Sequence, residues 1–388
     1  MNKTKQDKIR GALLGGAAGD ALGYPVEFMS LAQIKDKYGE NGITDYTLSN
    51  GTALISDDTQ LTLFTADGLL VSDTMGKIPG NRVLPEMFVP LAYRDWLKTQ
   101  NYSFANAPKP GTPEGRSGIS WLLDVPELYA RRAPGITCLS AIQKLDNAEK
   151  SDFFADPVNN SKDCGGIMRI APVGLRYAGN IREIDLLAAK LSAVTHGHSL
   201  GYMPSAVLTH IFNRLVYSIA GLTSLKAIIT EAKETARELF ADDENIGILC
   251  ELIDKAVLLS ENDQNDKKNI SLLGEGWVAE ETLAIALYCA LKYEHDFSAG
   301  ITAAVNHSGD SDSTGSLTGQ IIGAAEGFEA IDKKWSADLE LKDIILEIAD
   351  DLAADNEKSP DGEVFPPDIE CKYLRMRRKE YMDMLQFG

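Results

Sequence analysis

The stretch VNHSGDSDSTGSLTGQIIGA, residues 305–324, joins a cluster of acidic and hydroxyl side chains to a glycine repeat. Glycine recurs every four residues from 315 to 327, and the same spacing occurs from 11 to 23. Residues four apart lie on one face of a helix, so each repeat predicts a bare stripe that another backbone can approach closely. Glycine costs about 1 kcal/mol relative to alanine inside a helix, so its repetition indicates a packing or site requirement. We predict that both helices lie in the core, where they can contact each other.

Much of the remaining chain carries the hydrophobic pattern of helices. Apolar residues recur at three- and four-residue spacing in LTLFTADGLLV (61–71), EIDLLAAKLSAVTHG (183–197), SAVLTHIFNRLVYSIAGL (205–222), AEETLAIALYCALKY (279–293) and LKDIILEIADDLA (341–353). Alternating strand patterns are scarce, and no linker rich in proline or serine divides the chain. These features predict an all-α, single-domain protein, with loops near 39–56, 100–118, 152–165 and 262–276. The domain is expected to span residues 1–355, and residues 356–388 to form a C-terminal extension that packs on it.

Composition excludes several classes of function. The formal charge of −19, from 38 basic and 57 acidic residues, makes nucleic acid an unfavourable partner. Five scattered cysteines without a CxxC pair indicate neither a disulfide framework nor a zinc site, which favours a reducing compartment. No apolar stretch approaches the roughly 20 residues of a membrane helix, and the N-terminal region lacks a signal-peptide pattern. We therefore expect a cytoplasmic protein that does not interact with membranes.

Two acidic segments are candidates for metal binding. The first, SDDTQLTLF, supplies Ser56, Asp57 and Asp58, and the second supplies Asp310, Asp312 and Ser313. Each segment alone has a simpler interpretation, because Asp and Ser cap helices and complement the helix dipole. A cap, however, needs one side-chain oxygen, and neighbouring carboxylates repel unless a cation lies between them. Together the segments favour two hard divalent cations, Mg²⁺ or Mn²⁺, held by oxygen ligands.

Other polar segments carry weaker signals. Gly165 and Gly166 either form a plain turn or let backbone amides approach a phosphate. His196 and His198 lie two apart, so a shared ion is not favoured; one is expected to line a polar pocket and the other to cap a helix or hydrogen-bond. His307 precedes Asp310 by three residues and is a candidate for orienting that loop.

Five ordered segments resemble the ADP-ribosylglycohydrolase family. They are GALLGGAAGDALGYPVEF, SDDTQLTLF, CGGIMRIAPVGL, THGHSLGY and HSGDSDSTGSLTGQIIGA, between about residues 8 and 330. The resemblance implies an all-α orthogonal helical bundle, with two divalent cations at the base of a cleft that binds ADP-ribose. Every metal-ligand position retains an oxygen side chain, with Ser56 and Ser313 where many members have Thr. A non-catalytic relative is therefore the less favoured alternative.

The resemblance also assigns roles to individual positions. It places the cation ligands at Ser56, Asp57, Asp58, Asp310, Asp312 and Ser313, and catalytic roles at Glu27, Asp57 and Asp58. It implies contacts to ADP-ribose at Gly135 and Thr137 of RAPGIT, at Ser161, Lys162, Asp163, Cys164, Gly165 and Gly166, and at His196. Cys164 stands where many members have Asn, which puts one polar contact in doubt.

The expected activity is hydrolysis of the bond between ADP-ribose and an acceptor, by water that the cations activate and a carboxylate deprotonates. The acceptor is an ADP-ribosylated protein side chain or a small ADP-ribose conjugate, and arginine is slightly favoured by analogy. A metal-dependent phosphohydrolase is the rival enzyme, but it is expected to carry more Lys and Arg near the phosphate than these segments supply.

Overall fold

Helices make up the regular structure in the computed structural model, which describes residues 3–77, 83–108, 118–145, 153–218, 223–354 and 371–375. The α-helices are α1 (Lys5–Gly23), α2 (Leu31–Tyr38), α3 (Asp57–Gly76), α4 (Pro85–Asn101), α5 (Ile136–Lys144), α6 (Ala171–Arg176), α7 (Ile181–Ala193), α8 (Ser199–Tyr217), α9 (Leu225–Leu239), α10 (Ile246–Ser260), α11 (Asp266–Leu273), α12 (Ala279–Lys292), α13 (Phe297–Val305), α14 (Ser311–Glu326), α15 (Lys334–Ala337) and α16 (Lys342–Ala353). Short 3₁₀ helices cover Tyr24–Val26, Phe104–Asn106, Trp121–Asp124, Pro126–Leu128, Cys164–Gly166 and Phe328–Ala330. Only isolated β-bridges occur in the described residues, so the all-α prediction is confirmed.

The two glycine repeats form one interface between α1 and α14, which run antiparallel. A Cβ added to Gly19 would lie 2.0 Å from the carbonyl oxygen of Gly315, and one added to Gly319 would lie 2.0 Å from that of Gly15. Gly11 meets Gly323 in the same way. The predicted contact between these helices is confirmed. Because only glycine permits backbones this close, the interface fixes the first turn of α14 beside the last turn of α1.

Helix α3 is buried along nearly its whole length, and α1 holds its first turn. The carboxylate of Asp20 accepts a hydrogen bond from the backbone N–H of Ser56 at 2.9 Å. It also accepts bonds from the backbone and the hydroxyl of Thr59. On the other side, a Cβ at Gly68 would lie 2.8 Å from the Cα of Val89 in α4. The start of α3 is thereby fixed next to the ends of α1 and α14.

Each predicted helical segment contains a helix, but α7 ends at Ala193 and α8 at Tyr217, several residues before the predicted segments end. Residues 219–222 lie outside the described residues. The predicted loop at 262–276 is wrong, because it contains α11. Asn265 caps this helix by accepting a hydrogen bond from the N–H of Lys267, and the side chains of Ile270 and Leu273 are buried. Tyr288 and Tyr293 also donate hydrogen bonds to Asp266. Contacts with a distant part of the chain therefore stabilise a helix whose own pattern is weak.

Most of the predicted C-terminal extension, residues 356–370 and 376–388, lies outside the described residues, as do 109–117 of the predicted loop at 100–118. Within the part that is described, the hydroxyl of Tyr373 donates to Asp351 at 2.6 Å, and Arg375 pairs with Asp124. None of the described helices combines the length and apolar character needed to cross a bilayer.

Candidate metal centre and cleft

The first turn of α3 presents two buried carboxylates at one end of the bundle. Ser56 caps the helix, since its Oγ accepts a hydrogen bond from the N–H of Asp58 at 3.1 Å. The capping interpretation therefore holds for Ser56. It does not account for Asp57 and Asp58, which are buried within the first turn.

The first turn of α14 presents the second acidic group. Asp310 is the cap and accepts from the N–H of Ser313 at 3.3 Å, while Asp312 lies one residue inside the helix and accepts from the same N–H at 3.0 Å. The N–H of Asp310 donates to the carbonyl oxygen of Glu275 at 2.9 Å. The predicted role of His307 is consistent with its contact to the Thr314 hydroxyl at 3.0 Å. These bonds hold the turn in place without neutralising its charge.

The two acidic groups meet. The hydroxyl of Ser56 lies close to the carboxylate of Asp312, and the charge of Asp312 acts on Asp57. Glu27, from the 3₁₀ turn that follows α1, completes the cluster, because carboxylate oxygens of Glu27, Asp310 and Asp312 lie within 4.8 Å of one another. We call these five carboxylates, Glu27, Asp57, Asp58, Asp310 and Asp312, the acidic cluster.

The electrostatics of the acidic cluster fit a divalent cation. Burial, and then the charge of Asp312, raise the pKa of Asp57, Asp58 and Asp310 well above the usual range. The same causes raise the pKa of Glu27 to about 10. One carboxylate oxygen of Glu27 and one of Asp58 are buried without a hydrogen-bond partner among the described residues. Such oxygens cost free energy unless a cation or a proton compensates them, and hard divalent cations prefer this kind of ligand.

A cavity of about 460 Å³ opens above the acidic cluster. Most of the predicted site residues line it, namely Glu27, Asp57, Asp58, Gly135, Thr137, Asp163, Cys164, Gly165, His196, Asp310, Asp312 and Ser313. Ser56, Ser161, Lys162 and Gly166 are not among the residues that line it. The side chain of Lys162 is directed to Glu280, with which it forms an ion pair, and Ser161 accepts a hydrogen bond from the N–H of Asp163.

The start of α5 closes one side of the cavity. The N–H of Gly135 donates to Asp57 at 3.3 Å, and the hydroxyl of Thr137 donates to Asp163 at 2.7 Å. These bonds connect the predicted glycine loop both to the acidic cluster and to the Asp163–Gly165 wall. The structure thus brings together two segments whose proximity was implied only by resemblance.

The two neighbouring histidines have different positions, as predicted from their spacing. His198 caps α8, since its Nδ1 accepts from the N–H of Leu200 at 3.0 Å. His196 is fully buried behind Gly165 and lines the cavity. Burial, together with the charge of Arg169, lowers the pKa of His196 to about 3.

Three exposed apolar residues at the mouth of the cavity were not predicted from the sequence. Phe28 is 73% exposed, Trp277 is 37% exposed and Ile136 is 83% exposed. The rings of Phe28 and Trp277 stack with centroids 5.8 Å apart and an interplanar angle of 17°. No hydrophobic period marks these residues; the only signal is that Phe28 directly follows Glu27.

Comparison with known proteins agrees with this geometry. A family model described as ADP-ribosylglycohydrolase matches residues 1–361. The ADP-ribosyl-(dinitrogen reductase) glycohydrolase of Rhodospirillum rubrum is 22% identical over 342 residues, which cover 87% of this chain and 91% of the relative. An Archaeoglobus fulgidus protein, named only as uncharacterized, is 25% identical over 353 residues, covering 89% and 96%.

The fold is also found among solved structures. A structure of an ADP-ribosylglycohydrolase-related protein complex aligns with a TM-score of 0.56 and 24% sequence identity, covering 90% of this chain and 98% of that one. This likeness shows the fold, so the predicted all-α bundle of the ADP-ribosylglycohydrolase type is confirmed. Because the family model spans most of the sequence, the chain belongs to the ADP-ribosylglycohydrolase family.

Proposed function

We propose that this protein is a metal-dependent hydrolase that cleaves the glycosidic bond between ADP-ribose and an acceptor. The observation that carries the proposal is the acidic cluster, formed where the first turns of α3 and α14 meet Glu27 at the base of a 460 Å³ cavity. Ser56, Asp57 and Asp58 would hold divalent cations together with Asp310, Asp312 and Ser313. Two ions, Mg²⁺ or Mn²⁺, match this number of oxygen ligands.

Cations held there supply Lewis acidity, which lowers the pKa of water and compensates developing negative charge. The chain supplies the proton acceptor. The carboxylate of Glu27 has an oxygen without a partner among the described residues and faces the cavity, and Asp57 and Asp58 lie beside it. One of these carboxylates accepts a proton from water as the water oxygen bonds to the anomeric carbon. The bond to the acceptor breaks with its electron pair on the acceptor atom, which then takes up the proton.

The walls of the cavity suit the rest of ADP-ribose. The start of α5, near Thr137, lines the cavity and has no side-chain cap, so its backbone N–H groups could donate to phosphate oxygens, as helix N-termini do. Cys164, Gly165 and His196 form the adjoining wall. Ser161, Lys162 and Gly166 would act indirectly, by fixing the backbone of this wall. A cytoplasmic location of the protein also belongs to this proposal.

Arginine is the acceptor that we favour. None of the described residues that line the cavity is Lys or Arg, so the lining charge is negative and favours a cationic acceptor. The stacked rings of Phe28 and Trp277 offer a flat, electron-rich surface at the mouth, on which a guanidinium group can lie. A serine acceptor would use neither feature.

Hydrolysis of defined substrates tests the proposal. Peptides carrying ADP-ribosylarginine or ADP-ribosylserine, and small ADP-ribose conjugates, are incubated with the protein in Mg²⁺, in Mn²⁺ and in chelator, and the products are identified by mass spectrometry. We expect free ADP-ribose that disappears in chelator, with the arginine peptide cleaved fastest. Release of phosphate instead would establish a metal-dependent phosphohydrolase, and binding of ADP-ribose without turnover would establish a non-catalytic member of the fold.

A further inference from the structure

A buried row of three side chains lies directly behind the wall of the cavity. Arg169, Thr195 and His196 are each fully buried. The Nη2 group of Arg169 donates to the hydroxyl oxygen of Thr195 at 2.6 Å, and that oxygen lies 2.8 Å from Nδ1 of His196. The second ring nitrogen, Nε2, has no partner among the described residues, and His196 lines the cavity.

The donors and acceptors in this row fix where its protons lie. A guanidinium group only donates, so the Thr195 oxygen is an acceptor towards Arg169. The hydroxyl proton of Thr195 then has one acceptor within reach, Nδ1 of His196. If Nδ1 carried a proton instead, the hydroxyl proton would be buried without an acceptor, which costs about 1–3 kcal/mol. The favoured arrangement therefore has Nδ1 as acceptor and the ring proton on Nε2.

The surroundings keep this arrangement neutral and rigid. The guanidinium of Arg169 lies over the ring of Tyr93, with its central carbon 4.2 Å from the ring centroid, and its Nη1 points to the sulfur of Cys138 at 3.5 Å. Its positive charge and the burial of the imidazole both disfavour a protonated His196. A ring that stays neutral cannot act as an acid near neutral pH, but it can donate one hydrogen bond.

Gly165 leaves room for this buried ring at the wall of the cavity. A Cβ at Gly165 would lie 3.0 Å from Cε1 of His196 and 2.7 Å from the sulfur of Cys138. Any side chain at this position would push against the imidazole or stand between it and the cavity. The sequence left two interpretations of Gly165, a plain turn or a nest of backbone amides for a phosphate. The structure adds a third, because the absence of a side chain leaves room for the His196 ring.

We propose that Arg169 and Thr195 are positioning residues that hold His196 in one tautomer, so that its Nε2–H donates a hydrogen bond to an oxygen atom of the bound ADP-ribosyl group. This inference rests on the proposed function for the identity of the ligand. In this inference His196 contributes a hydrogen bond whose direction three buried groups fix, and it does not transfer a proton.

The tautomer is measured by ¹⁵N NMR on the full chain labelled at histidine, in Mg²⁺ and before any substrate is added. We expect His196 to be protonated at Nε2 alone, and to remain neutral between about pH 5.5 and 8. Added ADP-ribose should shift the Nε2 resonance. A proton on Nδ1, or titration near neutral pH, would overturn the inference.

Two threonine variants test the positioning role. Thr195→Val removes the donor to Nδ1, so the Nδ1 resonance should move towards that of an unbonded nitrogen, and the dissociation constant for ADP-ribose should rise about fivefold. Thr195→Ser, which keeps the hydroxyl, should restore both. Thr65→Val is the matched control, because it removes a buried hydroxyl that contacts Tyr93 at 2.9 Å but not His196.

The outcomes separate this inference from the proposed function. Wild-type affinity for ADP-ribose in Thr195→Val would contradict the positioning role, whatever the enzyme hydrolyses. Failure of the substrate panel, with the predicted tautomer intact, would contradict only the proposed hydrolysis. If Thr195→Val does not fold, the wild-type tautomer and the Thr195→Ser variant still decide the question.

Discussion

The first turn of α14 and the turns that follow it are built from small and polar residues, but they meet opposite physical demands. Along the later turns, Gly315, Gly319 and Gly323 remove side chains so that α1 can approach at backbone distance. In the first turn, Asp310 and Asp312 bring negative charges together, and burial raises their pKa. The first arrangement favours the folded state, whereas the second opposes it unless a cation is present.

This difference between the two parts of α14 explains how carboxylates that repel one another can be held close together. The glycine interface and the hydrogen bonds that Asp20 accepts position the starts of α14 and α3 independently of the acidic cluster. The carboxylates therefore stay close although they repel one another. Substitutions in the glycine interface should lower the stability of the fold, whereas substitutions in the acidic cluster should remove function and leave the fold intact.

The largest effect is expected at Asp312, whose charge acts on every other member of the acidic cluster. Asp312→Ala should lower the rate of ADP-ribose release on the order of a thousandfold, about 4 kcal/mol, because it removes a cation ligand and its charge. The chain should remain folded by circular dichroism. Product release is followed by mass spectrometry, and Mn²⁺ binding by isothermal titration calorimetry.

Asp343→Ala is the matched control for Asp312→Ala, because Asp343 also lies in the first turn of a helix, α16, but is exposed. Its activity and Mn²⁺ affinity should equal those of the wild type. Full hydrolysis by Asp312→Ala in metal-containing buffer would remove Asp312 from the proposed centre.

The glycine interface gives the next largest effect. Gly319→Ala places a Cβ 2.0 Å from the carbonyl oxygen of Gly15, so the two helices must separate. The free energy of unfolding, measured by urea denaturation, should fall by about 3 kcal/mol. Gly247→Ala in α10, where nothing lies within 4 Å, should instead be neutral or raise it by up to about 1 kcal/mol. Equal effects at both positions would show that the close approach is not what the interface requires.

Asp67 tests whether burial alone marks a functional carboxylate. It lies in the middle of α3, where burial and the charge of Asp95 raise its pKa to about 8. Because the unfolded pKa is about 3.9, the native state binds the proton more tightly, and stability falls as the pH rises from about 4 to about 8.

Asp67→Asn removes this dependence. We expect the variant to be more stable than the wild type by at least about 2 kcal/mol at pH 9 and equal to it at pH 4, in urea denaturation followed by circular dichroism. Hydrolysis should be unchanged. A loss of activity in Asp67→Asn would mean that a single buried carboxylate on α3 contributes to the site from outside the acidic cluster.

Much of the fold was predictable because its signals are local. The three- and four-residue periods place α3, α7, α8, α12 and α16, and the two glycine repeats identify the helices that meet. The helix α11 was not predictable in this way, because its stability depends on hydrogen bonds from Tyr288 and Tyr293. Its short polar sequence is typical of a loop when those partners are unknown.

The site was predictable in its members but not in the direction of every side chain. The crowded carboxylates of two helix starts exceed what capping requires, and this excess is visible in the sequence. The direction of Lys162 depends instead on Glu280, which lies 118 positions away. Phe28 and Trp277 carry no period at all, so only folding shows that their rings stack at the mouth of the cavity.

Gly23 is where the glycine interface and the acidic cluster meet, so it shows how far the two are separable. A Cβ at Gly23 would lie 2.3 Å from the carbonyl oxygen of Ser311 and 2.6 Å from the Cα of Asp312. Gly23→Ala should therefore displace the first turn of α14 and weaken Mn²⁺ binding on the order of tenfold, about 1.4 kcal/mol. Gly16→Ala, on the same helix, meets only the flexible side chain of Gln320 and should leave Mn²⁺ affinity unchanged. If Gly23→Ala lowers stability but not Mn²⁺ affinity, the first turn of α14 adjusts independently of α1, and the interface does not position the cluster.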